Sequence, residues 1–335
     1  MNKIFSLLVL LLTIGCSTVE DEINPETQDA VDVYVVGVKN NAAAYWKNNQ
    51  EFLLNNGIGA SADTLLVSNN NVHVFGKKPF DNWTTAYLYW KNNVPTNLTE
   101  NFSTPDQVVR TITGIDVVGD DVYFVGFTKN PLITAEIYDL VYWKNGVKTV
   151  LGLSSNPSYR ARIKVVNNTV YVLGTISNCF NFCEGVYING VFNPLENLQV
   201  GLRDFAVKND EVYVYGYNYG EQTGFYKNLA TNIETTLPQF IMKMIFDEND
   251  IYLSTDDIIT KNGNVTPSDA QPSNGITNYT SFIKDFKVLN GNVFYIKRCN
   301  PLLGLPSSIV GINNTNIFQI NDSNTTFNGI TIVQN

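Results

Sequence analysis

The chain almost lacks histidine. His73 is the only one among 335 residues, so Ser-His-Asp or Cys-His catalysis would have to run through it, and no nucleophile motif accompanies it. Histidine-rich zinc sites are excluded by count. Charged residues make up only 16%, low for a helical protein. Beyond the first residues no apolar stretch is long enough to span a membrane as a helix. No glycine-rich phosphate cradle is present. No calcium loop stands out either, since "DEND" from Asp247 reads as a hairpin turn. The residues therefore call for no metal and no cofactor. What is abundant is Asn, Thr, Val and Tyr, with 44% hydrophobic and 12% aromatic content. That mixture favours strands and turns over helices.

Two phrases recur. "YWKN" appears from Tyr45, Tyr89 and Tyr142. Between its copies runs a second phrase: "DVYVVG" from Asp32, "NVHVFG" from Asn71, "DVYFVG" from Asp121, "TVYVLG" from Thr169 and "EVYVYG" from Glu211, with weaker copies from Asp250 and Asn292. Its central residues are Tyr34, His73, Tyr123, Tyr171, Tyr213, Tyr252 and Phe294, at gaps of 39, 50, 48, 42, 39 and 42. Periods of roughly forty to fifty with strand composition point to propeller blades of four strands. In the third unit strand A is Ile112–Val118, strand B is Val122–Gly126, strand C ends at Trp143 and strand D is Val147–Leu151. Tight Asn- and Gly-rich turns join A to B and C to D. Nearly continuous apolar runs such as "VYVVG" suit strands covered on both faces. His73 sits in the slot that Tyr or Phe fills elsewhere, which makes it a strand residue. Trp46, Trp90 and Trp143 could be stacking platforms for sugar rings or blade-to-blade packing; their recurrence inside strands favours packing.

The first phrase has no strand A before it, and "FNGITIVQN" at the end is a strand A with no B after it. Joined, they complete one unit and remove a free sheet edge. The fold class is all-β: a seven-bladed β-propeller over 31–335, its ring closed by the C-terminal strand.

Strand alternation puts the short turns on one face and the irregular B–C and D–A connections on the other. Binding residues concentrate on loops held by a rigid scaffold. The ligand-binding candidates are therefore Phe80, Trp83, Tyr159, Arg160, Phe180, Phe182, Tyr217, Tyr219 and Arg298, aromatic and cationic groups suited to a glycan or a peptide segment. Cys179 and Cys183, in "CFNFC", are a disulfide candidate that would hold Phe180 and Phe182 outward; two free thiols are the alternative. Cys299, on a distant blade, should be unpaired. Carboxylate-only glycoside chemistry would draw on Asp81, Glu136, Glu184, Glu221 or Asp256, and no Ser-x-Asp-x-Gly box of the sialidase propellers accompanies them.

The start of the chain carries a different signal. Lys3 is followed by an apolar run, Ile4 to Leu12, and then by "LTIGC", with Gly15 directly before Cys16. This resembles a bacterial lipoprotein signal, with Thr13 where that family has Leu. The resemblance implies a signal peptide over 1–15 and lipidation of Cys16, enough for stable anchoring. Residues 16–30, "CSTVEDEINPETQDA", form an acidic tether. Its Glu20-Asp21-Glu22 resembles the surface-export signal of Bacteroidota lipoproteins, although set farther from the Cys. Once Lys3 is removed, 21 basic residues face 31 acidic ones, net −10, which argues against nucleic acid as a partner. The expectation is a monomeric, lipid-anchored outer-membrane protein, displayed at the cell surface, that binds a glycan or a protein without catalysis. The alternatives are a periplasm-facing scaffold of an outer-membrane complex and a carboxylate-dependent carbohydrate-active enzyme.

Overall fold

The computed structural model describes residues 31–80, 85–132, 134–154, 161–176, 183–195, 200–272, 279–301 and 304–335. They form seven four-stranded antiparallel sheets. Strand A is innermost in each blade and strand D outermost. The inner strands are Thr325–Gln334 (blade 1), Ser61–Ser68, Val108–Val118, Arg162–Val166, Val200–Lys208, Lys243–Asp247 and Tyr279–Leu289 (blades 2 to 7). Blade 1 closes the ring: strand B (Val31–Lys39) pairs with Thr325–Gln334 from the far end of the chain, running from Val31 opposite Gln334 to Lys39 opposite Thr325.

Each blade–blade interface holds its own apolar cluster. The clusters centre on Val36 and Leu65 between blades 1 and 2, Phe75 and Ile115 between 2 and 3, and Leu140 and Ile163 between 3 and 4. They continue with Leu173 and Phe205 between 4 and 5, Tyr215 and Met244 between 5 and 6, Tyr252 and Phe286 between 6 and 7, and Phe318 and Val35 between 7 and 1. The strand-B run "VYVV" is buried throughout, because alternate residues enter two neighbouring clusters. Trp46, Trp90 and Trp143 are at most 2% exposed, and each joins the cluster shared with the preceding blade. Trp90 also donates its indole N–H to the Asn55 carbonyl of blade 1 at 2.7 Å. They are packing residues.

The two recurring phrases turn out to be halves of one clamp. In blade 3, Asn145 of "YWKN" accepts from the Val122 amide at 2.8 Å and donates to Asp121 at 2.7 Å. Lys144 pairs with Asp121 at 2.7 Å and lies 5.4 Å above the Tyr123 ring. Blades 1 and 6 repeat the set with Lys47, Asn48, Asp32 and Tyr34 and with Lys261, Asn262, Asp250 and Tyr252. Blade 2 replaces the acid with Asn71. The clamp needs a left-handed backbone at its Asn (φ 49° at Asn48, 50° at Asn92 and Asn145), a region Asn tolerates better than most residues. It ties each C–D turn to the start of strand B, so both sets of short turns share one face.

The glycine that ends "VYVxG" has a steric reason. A Cβ on Gly37, Gly76, Gly126 or Gly216 would fall 1.9–2.1 Å from a strand-A carbonyl oxygen. All four of those carbonyls (at Thr326, Ser61, Thr111 and Gly201) belong to strands whose register shifts there by one residue. Such a bulge presses the backbone of strand A onto strand B.

The B strands run further than the sequence implied. They extend to Pro79, Lys129, Asn218 and Pro301, consuming part of what read as loop, because the bulged strand A keeps pairing past the glycine. A one-turn helix, Leu98–Phe102, precedes blade 3. Asn97 caps it, and Phe102 stacks on Trp143 with ring centres 4.8 Å apart. The irregular face is uneven. Over blade 1 the B–C link is the tight turn Asn40–Asn41, whereas in blade 3 residues 130–137 separate strand B from strand C.

Candidate functional site

Among the described residues the irregular face gathers one aromatic cluster, on blade 5. Tyr217 lies near the end of strand B, and Tyr219 follows in the loop, 57% exposed. Their rings meet edge to face with centroids 5.3 Å apart, and Phe240 meets Tyr217 at 5.5 Å. Arg203 lies 6.0 Å from the Phe240 ring centre. Phe240 comes from the D–A connection, and Arg203 is the extra residue of the blade-5 bulge. The arrangement is a tilted aromatic wall with a cation at its edge, a geometry that takes a sugar ring or a peptide side chain on its open faces. Sequence reasoning found Tyr217 and Tyr219 but missed Phe240 and Arg203. "LPQF" offers one aromatic in a loop, and a bulge residue has no signature of its own.

The other candidates are dispersed. Phe80 is 65% exposed at the end of strand B in blade 2. Arg298 requires a correction: it lies inside the strand Asn292–Pro301 of blade 7, where it donates to Ser308 Oγ at 3.0 Å and to the Thr325 carbonyl at 2.9 Å. It fastens blade 7 to blade 1 rather than presenting itself on a loop. Trp83, Tyr159, Arg160, Phe180 and Phe182 lie outside the described residues, as do Cys16, Cys179 and the acid Asp81. Cys183 is described only as the backbone partner of Ile176, so the Cys179–Cys183 pairing also falls outside. Cys299 is buried and free.

The remaining carboxylates are engaged or isolated. Glu136 pairs with Lys129 at 2.9 Å. Glu184 accepts the Leu202 amide of the next blade at 2.6 Å, a structural role that ties strand C of blade 4 to the inner strand of blade 5. Glu221 and Asp256 stand in short loops of separate blades. His73 is 1% exposed; its Nδ1 lies 2.6 Å from the Tyr89 hydroxyl, and its Nε2 has no partner. Burial, assisted by Lys91, pushes its pKa below the ordinary imidazole value. Among the described residues no three His, Cys, Asp or Glu side chains gather as a metal site requires.

The second feature is the central channel, a cavity of about 870 Å³ lined by all seven inner strands. Its wall carries more basic than acidic side chains: Lys77, Arg162, Lys164, Lys243, Lys284 and Lys287 against Asp63, Asp204 and Asp285. Asp63 pairs with Lys77 at 3.5 Å and Asp204 with Arg162 at 3.8 Å. Asp285 pairs with Lys243, which also donates to the Phe286 carbonyl at 2.8 Å. Asp285 further accepts the Ile330 amide of blade 1. Asp116 behaves alike between blades 3 and 4, accepting the Val117 amide at 2.9 Å and the Val165 amide at 2.6 Å, while burial pushes its carboxyl pKa up. These acids stitch one inner strand to the next. The charges were visible in the sequence in "RIK", "LRD", "IMK" and "IKDFK". Attention to loops passed over them, because inner strands were read as framework.

No protein-family model matches the chain, and no curated protein sequence matches it. Solved structures do. One, from a study of two prolyl endopeptidases and the role of inter-domain dynamics in their catalysis and specificity, has a TM-score of 0.51 at 11% identity, covering 91% of this chain and 50% of its own. An acylaminoacyl peptidase in complex with Z-Gly-Gly-Phe-chloromethyl ketone has a TM-score of 0.49 at 11% identity, covering 90% and 51%. Apo AztD from Citrobacter koseri has a TM-score of 0.46 at 11% identity, covering 91% and 98%. The chain spans about half the length of the two peptidases. At such identity, what it shares with the prolyl endopeptidase is the propeller fold alone.

Proposed function

We propose that the chain is a lipid-anchored binding module of the bacterial cell envelope, taking a glycan or protein ligand on the irregular face of the propeller. The single observation that carries this is the aromatic wall of Tyr217, Tyr219 and Phe240, edged by Arg203, on the face where loops are long. The opposite face supports it by contrast: its turns are short and their polar groups are spent on the Asn–Asp clamps. Anchoring rests on Lys3, the run Ile4 to Leu12 and Gly15-Cys16, and outward display rests on the acidic tether. A binding role is favoured over catalysis by the buried neutral His73 and by carboxylates committed to holding strands together.

The test has two stages. Intact cells are treated with protease and probed with an antibody to the protein. Loss of signal fits outward display, whereas protection until the outer membrane is broken sinks it. Purified protein is then screened against glycans and envelope proteins beside Tyr219→Ala and Phe240→Ala. Retention of every binding signal in both variants would refute the blade-5 site.

A further inference from the structure

Lys164 and Lys287 are the unexplained groups of this molecule. Both project from inner strands at equivalent positions, two residues after the position held by Arg162 and Asp285, in blades 4 and 7. Each ammonium carries three donors and no acceptor of its own. Neither has a carboxylate or carbonyl partner among the described residues; Lys164 lies 5.9 Å from the Phe205 ring centre. The acids within reach are already used. Asp285 is taken by Lys243, Asp204 by Arg162, and both oxygens of Asp116 by backbone amides. The charge of Lys243, with burial, drives the Lys287 pKa down to about 8. Burial lowers that of Lys164; the charges of Asp204 and Asp116 oppose the shift, and Lys243 adds to it. An acidic chain of formal net charge −9 thus concentrates uncompensated positive charge at its axis, where low-dielectric walls strengthen it.

Burying two ammonium groups in a channel is costly unless something compensates them. The space suits a ligand: small-molecule sites run from about 300 to about 1,000 Å³, and this cavity holds about 870 Å³. The rest of its wall offers Thr64, Thr113 and Thr331 beside aliphatic side chains such as Leu66 and Ile245. The geometry points to the central channel as a binding site for a small molecule carrying an oxyanion, carboxylate or phosphate, held by Lys164, Lys287 and Lys243. This site goes beyond the loop-face reading and does not depend on it, since none of its cations belongs to a loop of the irregular face.

The experiment is calorimetric titration and thermal unfolding of the purified protein with inorganic phosphate and with citrate, at constant ionic strength set by potassium chloride. Wild type is compared with Lys164→Met, Lys287→Met and the surface control Lys148→Met. Saturable binding of one equivalent is expected, weakened at least tenfold in each channel variant and unchanged in Lys148→Met. Binding of citrate alone identifies a carboxylate ligand, and binding of phosphate alone a phosphorylated one. Without ligand, both channel variants should unfold at the same or higher temperature than wild type, because a repelling charge has gone, so lost binding is not lost folding. No saturable binding of either anion, or equal binding in wild type and both channel variants, overturns the proposal. So does equal weakening in Lys148→Met.

Discussion

Replacing Asn92 tests whether the repeated Asn is there for its backbone or its side chain. Asn92 stands at φ 50° in the strand C–D turn of blade 2 and is followed by Asn93 at φ 68°. Its side chain accepts the Val72 amide at 2.8 Å and donates to Asn71 at 2.7 Å. Its own amide donates to the Val72 carbonyl at 2.8 Å, a bond that any substitute keeps. Both side-chain bonds are exposed, so each is valued near the lower end for a hydrogen bond, about 0.5 kcal/mol. Asn92→Gly loses these two and gains freedom in the unfolded chain, for a total of about 1.4–2 kcal/mol. Asn92→Ala loses the same bonds and must also hold a left-handed conformation, which costs about 1–2 kcal/mol more. The total for Ala is about 2–3 kcal/mol. Urea unfolding followed by tryptophan fluorescence reads the difference, since Trp90 is two residues away and buried. Equal losses for Ala and Gly would refute the backbone argument. A Gly variant as stable as wild type would mean the clamp contributes nothing to stability.

Other consequences follow from the same geometry. Gly126→Ala places a methyl 2.1 Å from the Thr111 carbonyl oxygen, whereas Gly174→Ala meets only a Leu140 methyl at 2.4 Å; the first should lose about 1–3 kcal/mol and the second distinctly less, by chemical denaturation. Deleting residues 325–335 removes the nine-residue pairing that closes the ring and strips Phe327 and Ile330 from the cluster between blades 7 and 1, so the product should aggregate on gel filtration, eluting earlier than the full chain. His73 should make the fold acid-sensitive. Its folded pKa lies below the unfolded value of 6.5, so its neutral form supports the native state above that pH, and this support is lost as pH falls from 6.5 through the folded pKa. His73→Phe, the residue blade 7 uses, should flatten the melting temperature between pH 7.5 and 5, and an unchanged slope would clear His73. The clamp acids act lower: Asp32, Asp121 and Asp250 are held below the ordinary carboxyl value of 3.8, first by their hydrogen-bonded lysines, so a second loss should begin only below about pH 4.

Blade number, strand order and ring closure were legible because each rests on period and on residues with few conformational options. Asn and Gly at left-handed positions mark turns, and a tail with strand character needs an edge to pair with. The burial of Trp46, Trp90 and Trp143 was legible from repetition at one strand position, since a ligand site rarely needs three copies of one group around a ring. What escaped depends on contacts between distant residues. "YWKN" and "DVY" looked like separate words, and their union as Lys and Asn gripping one Asp appears only when strand C lies beside strand B. Arg298 read as loop because Pro301 and Gly304 follow it, yet it pairs with Ser308 on strand C, and pairing with strand A from Tyr279 carries the strand through Pro301. Phe240 and Arg203 join Tyr217 from sequence separations of more than ten residues, through a bulge that no local pattern announces.

The inner strands show why the channel deserves the same weight as the loops. A position facing the axis of a propeller meets its counterparts from six other blades, so charges placed there lie close together and must be neutralised across the ring. Asp204 and Asp285 do this through Arg162 and Lys243, and together with Asp116 they bind neighbouring strands, which makes all three structural. Framework alone needs no lysine beyond those the acids can neutralise, and Thr331 and Ala206 occupy the equivalent position in other blades without difficulty. Lys164 and Lys287 exceed that need. If they served only to keep the channel wet, threonine would do so at lower electrostatic cost. Their presence is therefore better explained by an anion than by the fold.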